Sequence, residues 1–181
     1  MVQDTRRRRA GDTVGMKHVT LPCGELVAAL GQGTWRIGDD PTRRQEEIDC
    51  LRRGIDLGLT LIDTAEMYGE GRSEALVGQA IEGRRDEVFI VSKVYPHNAS
   101  RRSMPVSCDN SLKRLRIEAI DLYLLHWEGD VPLAETVAEE ARLADVTVIA
   151  QASDGTNAMG PVIEAEGAHQ VVAMDFTQSL H

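Results

Sequence analysis

Four residues able to hold or move a proton follow short apolar runs in this 181-residue chain. Asp63 and Tyr68 close the segment Gly-Leu-Thr-Leu-Ile-Asp-Thr-Ala-Glu-Met-Tyr (58–68), Lys93 sits in Val-Ser-Lys-Val, and His126 ends Asp-Leu-Tyr-Leu-Leu-His, with Trp127 next. An acid, a phenol, an amine and an imidazole together suit the reduction of a carbonyl. Hydride addition leaves an oxygen that must gain a proton, so a general acid has to stand within hydrogen-bond reach of it. Tyr68 can serve if a neighbouring cation lowers its pKa from an ordinary value of about 10. Lys93 is the cation available, Asp63 the counter-charge that would hold it, and His126 could orient the substrate oxygen. Each residue also has an ordinary reading: a helix-capping Asp, a loop phenol in water, a solvated strand-end lysine, a His-Trp pair packing a rim. Four of them at successive strand ends shift the weight to a site.

The elements that must position these residues alternate. Residues 19–27 read as a hairpin turning at Pro22-Cys23-Gly24, and 27–33 as a short buried strand running into Gly31 and Gly33. A helix is expected over 43–57, where Ile48, Leu51 and Ile55 share one face, closed by Gly58. A strand over 59–63 and a helix capped by Ser73 and carrying Leu76, Val77, Ala80 and Ile81 follow. Next come a strand over 88–91, a helix over 104–115, a strand over 120–125 and a helix over 133–143. Beyond these, 146–150 and 171–174 read as strands and 160–164 as a short helix. Apolar strands alternating with amphipathic helices argue for a parallel sheet covered by helices. Reactive residues at the C-terminal ends of strands favour an α/β fold of the (β/α)₈ TIM-barrel type over an open doubly wound sheet. Only the first four or five βα units are expected, since a complete barrel takes about 250 residues. Gly31-Gln-Gly33 lacks the third glycine of a dinucleotide-binding turn, and Gly69-Glu-Gly71 follows no strand closely enough.

The motifs Gly-Leu-Thr-Leu-Ile-Asp-Thr-Ala-Glu-Met-Tyr-Gly, Ser73-Glu-Ala-Leu-Val-Gly78, Val-Ser-Lys93, Ser111-Leu-Lys-Arg-Leu and Asp121-Leu-Tyr-Leu-Leu-His-Trp resemble, in order, those of the aldo-keto reductases over residues 17–137. The resemblance implies a (β/α)₈ barrel that uses NADPH, without a metal, to reduce a small aldehyde or ketone. It implies Asp63, Tyr68, Lys93 and His126 as the catalytic tetrad, with Tyr68 the general acid. It also implies cofactor contacts from Gly33, Thr34 and Asp63 and substrate contacts from Trp35 and Trp127. Past Ala138 the resemblance fades. The strand-end Ser-Asn, the later Gln, the Ser-Pro-Leu segment and the basic loop for the adenosine phosphate have no counterpart in 139–181. Residues 1–16 are expected as a disordered basic tail, 17–143 as the N-terminal half of a barrel, and 144–181 as a divergent tail.

Composition narrows the partners. A net charge of −9 speaks against a nucleic-acid ligand, because phosphate-backbone binding needs clustered Lys and Arg to release counterions. The one basic run, Arg6 to Arg9, is short and precedes no apolar stretch, and no segment is apolar enough to span a membrane. Cys23, Cys50 and Cys108 are too widely spaced for a zinc knuckle and fit reduced thiols of a cytoplasmic protein. Two other functional classes stay open. One is a non-catalytic barrel fragment that associates with itself through open sheet edges. The other is a metal-dependent hydrolase with Asp63, Glu66 and His126 as ligands, which would leave Tyr68 and Lys93 without a role.

Overall fold

The computed structural model describes residues 15–21, 24–143 and 148–149. The expected elements at 160–164 and 171–174, and most of the basic tail, lie outside the described residues. A hairpin of β1 (His18–Thr20) and β2 (Leu26–Ala28) opens the chain, antiparallel and in the register Val19 to Val27. The strand expected over 27–33 is divided. A bend at Ala29–Leu30 separates β2 from β3 (Gly31–Gly33), which joins a different sheet. The reason is steric. A Cβ at Gly31 would lie 2.7 Å from the Leu61 carbonyl oxygen, so only a glycine lets this strand close on its neighbour.

Beside β3 run β4 (Leu61–Asp63), β5 (Phe89–Val94), β6 (Leu122–Leu125) and β7 (Val148–Ile149), in chain order. Every adjacent pair is parallel. Between them come α1 (Arg44–Asp56), α2 (Arg72–Ala80), α3 (Met104–Leu115) and α4 (Leu133–Arg142). This is the βα succession of the first units of a (β/α)₈ barrel. β7 falls within the strand expected over 146–150 and pairs with β6 as a fifth parallel strand.

The pleat sorts side chains by parity, because successive residues of a strand point to opposite faces. Ile62, Ile90, Tyr123 and Leu125 pack outward against Ile48, Leu51 and Ile55 of α1, Leu76 and Val77 of α2, and Met104, Cys108 and Leu115 of α3. Leu61, Phe89, Val91, Leu122 and Leu124 face inward, with Leu21 and Val27 of the hairpin region. Following the inner parity to the C-terminal end of β4 and β5 gives Asp63 and Lys93, and one residue past β6 it gives His126. The alternation that builds the barrel wall therefore delivers three of the four candidate residues to one side.

Helix α2 sits unusually close to the end of α3. A Cβ at Gly78 would lie 2.6 Å from the Leu115 carbonyl oxygen and 2.7 Å from that of Arg114. Both obstacles are backbone, so Gly78→Ala has to push the helices apart. Overpacking of this kind costs about 1–3 kcal/mol, and denaturant unfolding of the variant should show a loss of that order. Unchanged stability would mean that the two helices can separate freely.

Candidate active site

The strand ends are tied together before any side chain is considered. Thr34 N–H donates to Asp63 O (3.0 Å), Thr64 N–H to Val91 O (2.8 Å), and His126 N–H to Val94 O (3.0 Å), extending each ladder beyond its last paired residue. Asp63 and Lys93 are the last inward-facing residues of β4 and β5, and His126 directly follows β6. Tyr68 begins a short 3-10 turn (Tyr68–Gly71) ahead of α2.

Lys93 Nζ is the hub. It lies 2.7 Å from Asp63 Oδ1 and donates to Thr64 O (2.9 Å) and to Tyr68 Oη (3.2 Å). An ammonium has three protons and no acceptor, so these three partners use all of them. The consequence for Tyr68 is directional. Its oxygen accepts from Lys93, which cannot accept in return, so the phenolic proton is free to point at a ligand. Asp63, Tyr68, Lys93, His126 and Gly33 all line one cavity of about 520 Å³, whose deeper wall is Leu61, Phe89, Val91 and Leu122.

His126 stands edge-on to Tyr68, with ring centroids 5.6 Å apart. Its Nδ1 is buried with no hydrogen-bond partner among the described residues, which leaves Nε2 as the nitrogen a ligand can reach. Burial, and secondarily the charge of Lys93, push the imidazole down to about 4. It is therefore neutral at pH 7 and offers a polar contact without a charge.

Other expected contacts are placed differently. Thr34 is fully buried, and its hydroxyl donates to Asp63 O (3.0 Å) while Ser73 Oγ lies 2.7 Å away. Its side chain is engaged inside the protein and does not line the cavity. Ser73 does not cap α2 as its position suggested: Gly71 holds the N-cap. Ser73 instead donates to Thr34 O (2.9 Å) and approaches Thr64 Oγ1 (3.2 Å), so a buried hydroxyl cluster joins the ends of β3 and β4 to the start of α2. Trp35 is 64% exposed, with the Arg36 guanidinium 5.3 Å from its ring centre. Trp127 is 38% exposed and stacks edge-on to His126 and Tyr95.

Two residues at the site carried little signal in the sequence. Glu66 accepts the Tyr95 N–H (2.6 Å) and the Asn98 side-chain amide (3.1 Å) through Oε1. Tyr95 shares the parity of Lys93 and could have been placed by counting two residues on. Glu66, in a loop with no periodicity, offered only its charge and its position between Asp63 and Tyr68. Among the described residues, no group of three or more His, Cys, Asp or Glu is arranged to hold a metal, and no helix is long and apolar enough to cross a membrane.

A sequence model of the Aldo/keto reductase family matches residues 29–146. The chain belongs to this family. Among curated members it is 53% identical over 117 residues to the methylglyoxal reductase YeaE of Escherichia coli, a match covering 65% of this chain and 41% of that protein. It is 40% identical over 137 residues to the aldo-keto reductase YhdN of Bacillus subtilis, covering 67% and 41%. An aldo/keto reductase of Klebsiella pneumoniae, crystallised with NADP and acetate, superposes with a TM-score of 0.73 at 47% identity, over 77% of this chain and 50% of that one. The thermostable aldo-keto reductase Tm1743, crystallised with the inhibitor epalrestat, gives 0.70 at 41% identity, over 75% and 54%. The chain thus spans about two-fifths of these curated aldo-keto reductases and half of the solved ones.

The neutral His126 predicts a pH dependence with a definite sign. Its folded value, about 4, lies below the ordinary 6.5, so between these pH values the unfolded chain binds more protons and stability falls as the pH drops. Relative to His126→Gln, the native chain should lose thermal stability between pH 6.5 and 4 and follow it in parallel above pH 7. Parallel profiles throughout would show that the imidazole is solvated in the folded state.

Proposed function

We propose that this chain carries the proton-donating site of an NADPH-dependent carbonyl reductase acting on small aldehydes or ketones. The observation that carries this reading is the hydrogen-bond direction at Tyr68. Lys93 donates to its oxygen, so its hydroxyl is oriented to donate outward to an oxygen that gains charge. The relatives agree in kind: YeaE is named a methylglyoxal reductase, and the Klebsiella structures hold NADP or NADPH. A 2-oxoaldehyde is therefore a sensible first substrate to try.

The residues fit the reacting end of that cofactor. Gly33 lines the cavity on the side of Asp63, and no atom lies within 4 Å of where its Cβ would stand, leaving room for a flat ring beside the tetrad. When bound, the nicotinamide supplies the hydride. The chain's own residues do the rest. His126 Nε2 holds the carbonyl oxygen, Tyr68 Oη gives it a proton, and Lys93, fixed by Asp63 and Thr64 O, stabilises the phenolate that remains. The apolar wall of Phe89, Val91 and Leu122 keeps water from one side. Among the described residues no basic cluster lies at the cavity to grip a phosphate, so the proposal is of weak turnover. NADPH oxidation with methylglyoxal or a nitrobenzaldehyde should be slow. Any rate above blank should drop by about 10²–10⁴-fold, the typical worth of a general acid, in Tyr68→Phe. A rate that survives this substitution would refute the assignment.

One observation favours a second reading, a non-catalytic fragment that associates with itself. Among the described residues, β3 is paired on one side only, and Val19, Leu26 and Leu30 in and just after the hairpin are about half exposed or more. Unpaired edges and one-sided parallel sheets recruit other chains. Sedimentation should then show dimers or larger species. A monodisperse monomer with a cooperative thermal transition would count against this reading.

A further inference from the structure

Glu66 lies in the loop between Asp63 and Tyr68, yet its carboxylate hydrogen-bonds to Tyr95 and Asn98 and not to a tetrad side chain. Its backbone N–H donates to Lys93 O (3.2 Å), and its Oε1 accepts from Tyr95 N (2.6 Å) and Asn98 Nδ2 (3.1 Å). One residue of the loop after β4 thus holds the end of β5 and the loop that follows it at three points: the carbonyl of Lys93, the amide of Tyr95, and the side chain of Asn98 at the end of the following 3-10 turn (Pro96–Asn98). Without this acceptor the Tyr95 amide has no partner, and a partly buried donor left unpaired costs about 1–3 kcal/mol.

What the loop carries is aromatic. The Tyr95 ring packs on His97 (centroids 4.7 Å apart) and meets Trp127 edge-on (5.9 Å, 82°). Trp127 in turn meets His126 edge-on (4.7 Å). Such edge-to-face pairs hold specific geometry beyond their buried area. A chain of contacts therefore runs from a carboxylate on the β4 side to the imidazole on the β6 side.

We propose that Glu66 is a positioning residue: through the loop it caps, it sets Tyr95 and Trp127 as an aromatic wall beside His126. The role is geometric and needs an acceptor oxygen, not a charge, because both donors converge on Oε1. The proposal concerns the wall of the reductase site argued above, and its test uses neither cofactor nor turnover, so the two readings stand or fall separately.

The chain has two tryptophans, so Trp35→Phe makes Trp127 the sole indole emitter in the otherwise intact 181-residue chain. In that background Glu66→Ala should raise acrylamide quenching of Trp127. If the indole goes from its 38% exposure to that of the open-loop Trp35, 64%, the rise is roughly 1.7-fold. Glu66→Gln, which keeps an acceptor oxygen, should match the parent. Tyr95→Ala should produce the same rise as Glu66→Ala, and the double variant no more than either, since the two act through one contact. Circular dichroism and a thermal midpoint above the assay temperature confirm that each measurement is made on folded protein. A merely structural role would lower the midpoint and leave native-state quenching unchanged. Should Glu66→Ala fail to fold, Asn98→Ala, which removes one of the two donors, should give a smaller rise in the same direction. Unchanged quenching in the folded variants, additive effects of the two sites, or Glu66→Gln behaving like Glu66→Ala would each overturn the proposal.

Discussion

The Lys93 ammonium is the point on which the site depends. Its three donors go to a carboxylate of β4, a main-chain carbonyl one residue further on, and a phenol at the start of the helix-forming segment. Because one partner is backbone, the position of Lys93 Nζ is fixed by the pairing of β4 with β5 and not by side-chain packing alone. The register Ile62 to Ile90 and Asp63 to Val91 places Lys93 one inward step beyond Asp63. A slip of either strand by one residue would turn its own member of the pair away from the cavity. Strand pairing and chemistry are the same constraint seen at two scales.

On the outer face of the sheet a second polar assembly holds α2 and α3 in place. Glu74 is fully buried. It accepts from Ser92 Oγ (2.5 Å) on β5 and from Arg114 Nε (2.6 Å) on α3, and Arg114 also reaches Ser111 Oγ (3.1 Å). Ser92 precedes Lys93 and points to the opposite face, so β5 is clamped outward at one residue and inward at the next. A buried charge is tolerated only when paired and hydrogen-bonded, and removing one partner is strongly destabilising. The motif residues Ser73 and Glu74 thus act behind the site: one ties α2 to the ends of β3 and β4, the other ties it to β5.

How much of this was legible follows from the kind of signal each residue carries. The helices were readable because apolar spacing over ten or more residues averages out local exceptions, and α3 begins and ends where its periodicity does. The convergence of Asp63, Lys93 and His126 on one side of the sheet was readable because strand parity and strand-end position are properties of short runs. The strand expected over 27–33 reads as one piece, and its division into β2 and β3 was not legible: Gly-Gln-Gly has no apolar pattern to show which sheet it joins, and the close approach to Leu61 that requires Gly31 is a long-range contact. Ser73 read as a cap because its type suits one, whereas its partner lies 39 residues away. Long-range hydrogen bonds leave no mark on a local pattern. At the end of α4, Glu140 is buried, its carboxylate oxygens find no partner among the described residues, and burial pushes its pKa up to about 8.

The strand order has a consequence for how the site comes into being. From β3 to β7 each strand pairs with the next one along the chain, so among the described residues every pairing joins neighbours in sequence order. Domains form from the N-terminus as synthesis proceeds, and loop closure between neighbouring units carries a modest entropy cost. Each βα unit can therefore dock on a template already laid down. The acid, the phenol and the amine converge once β5 joins β4, and the imidazole arrives with β6. Assembly of this constellation is vectorial: the ribosome delivers its parts in the order in which the sheet can receive them.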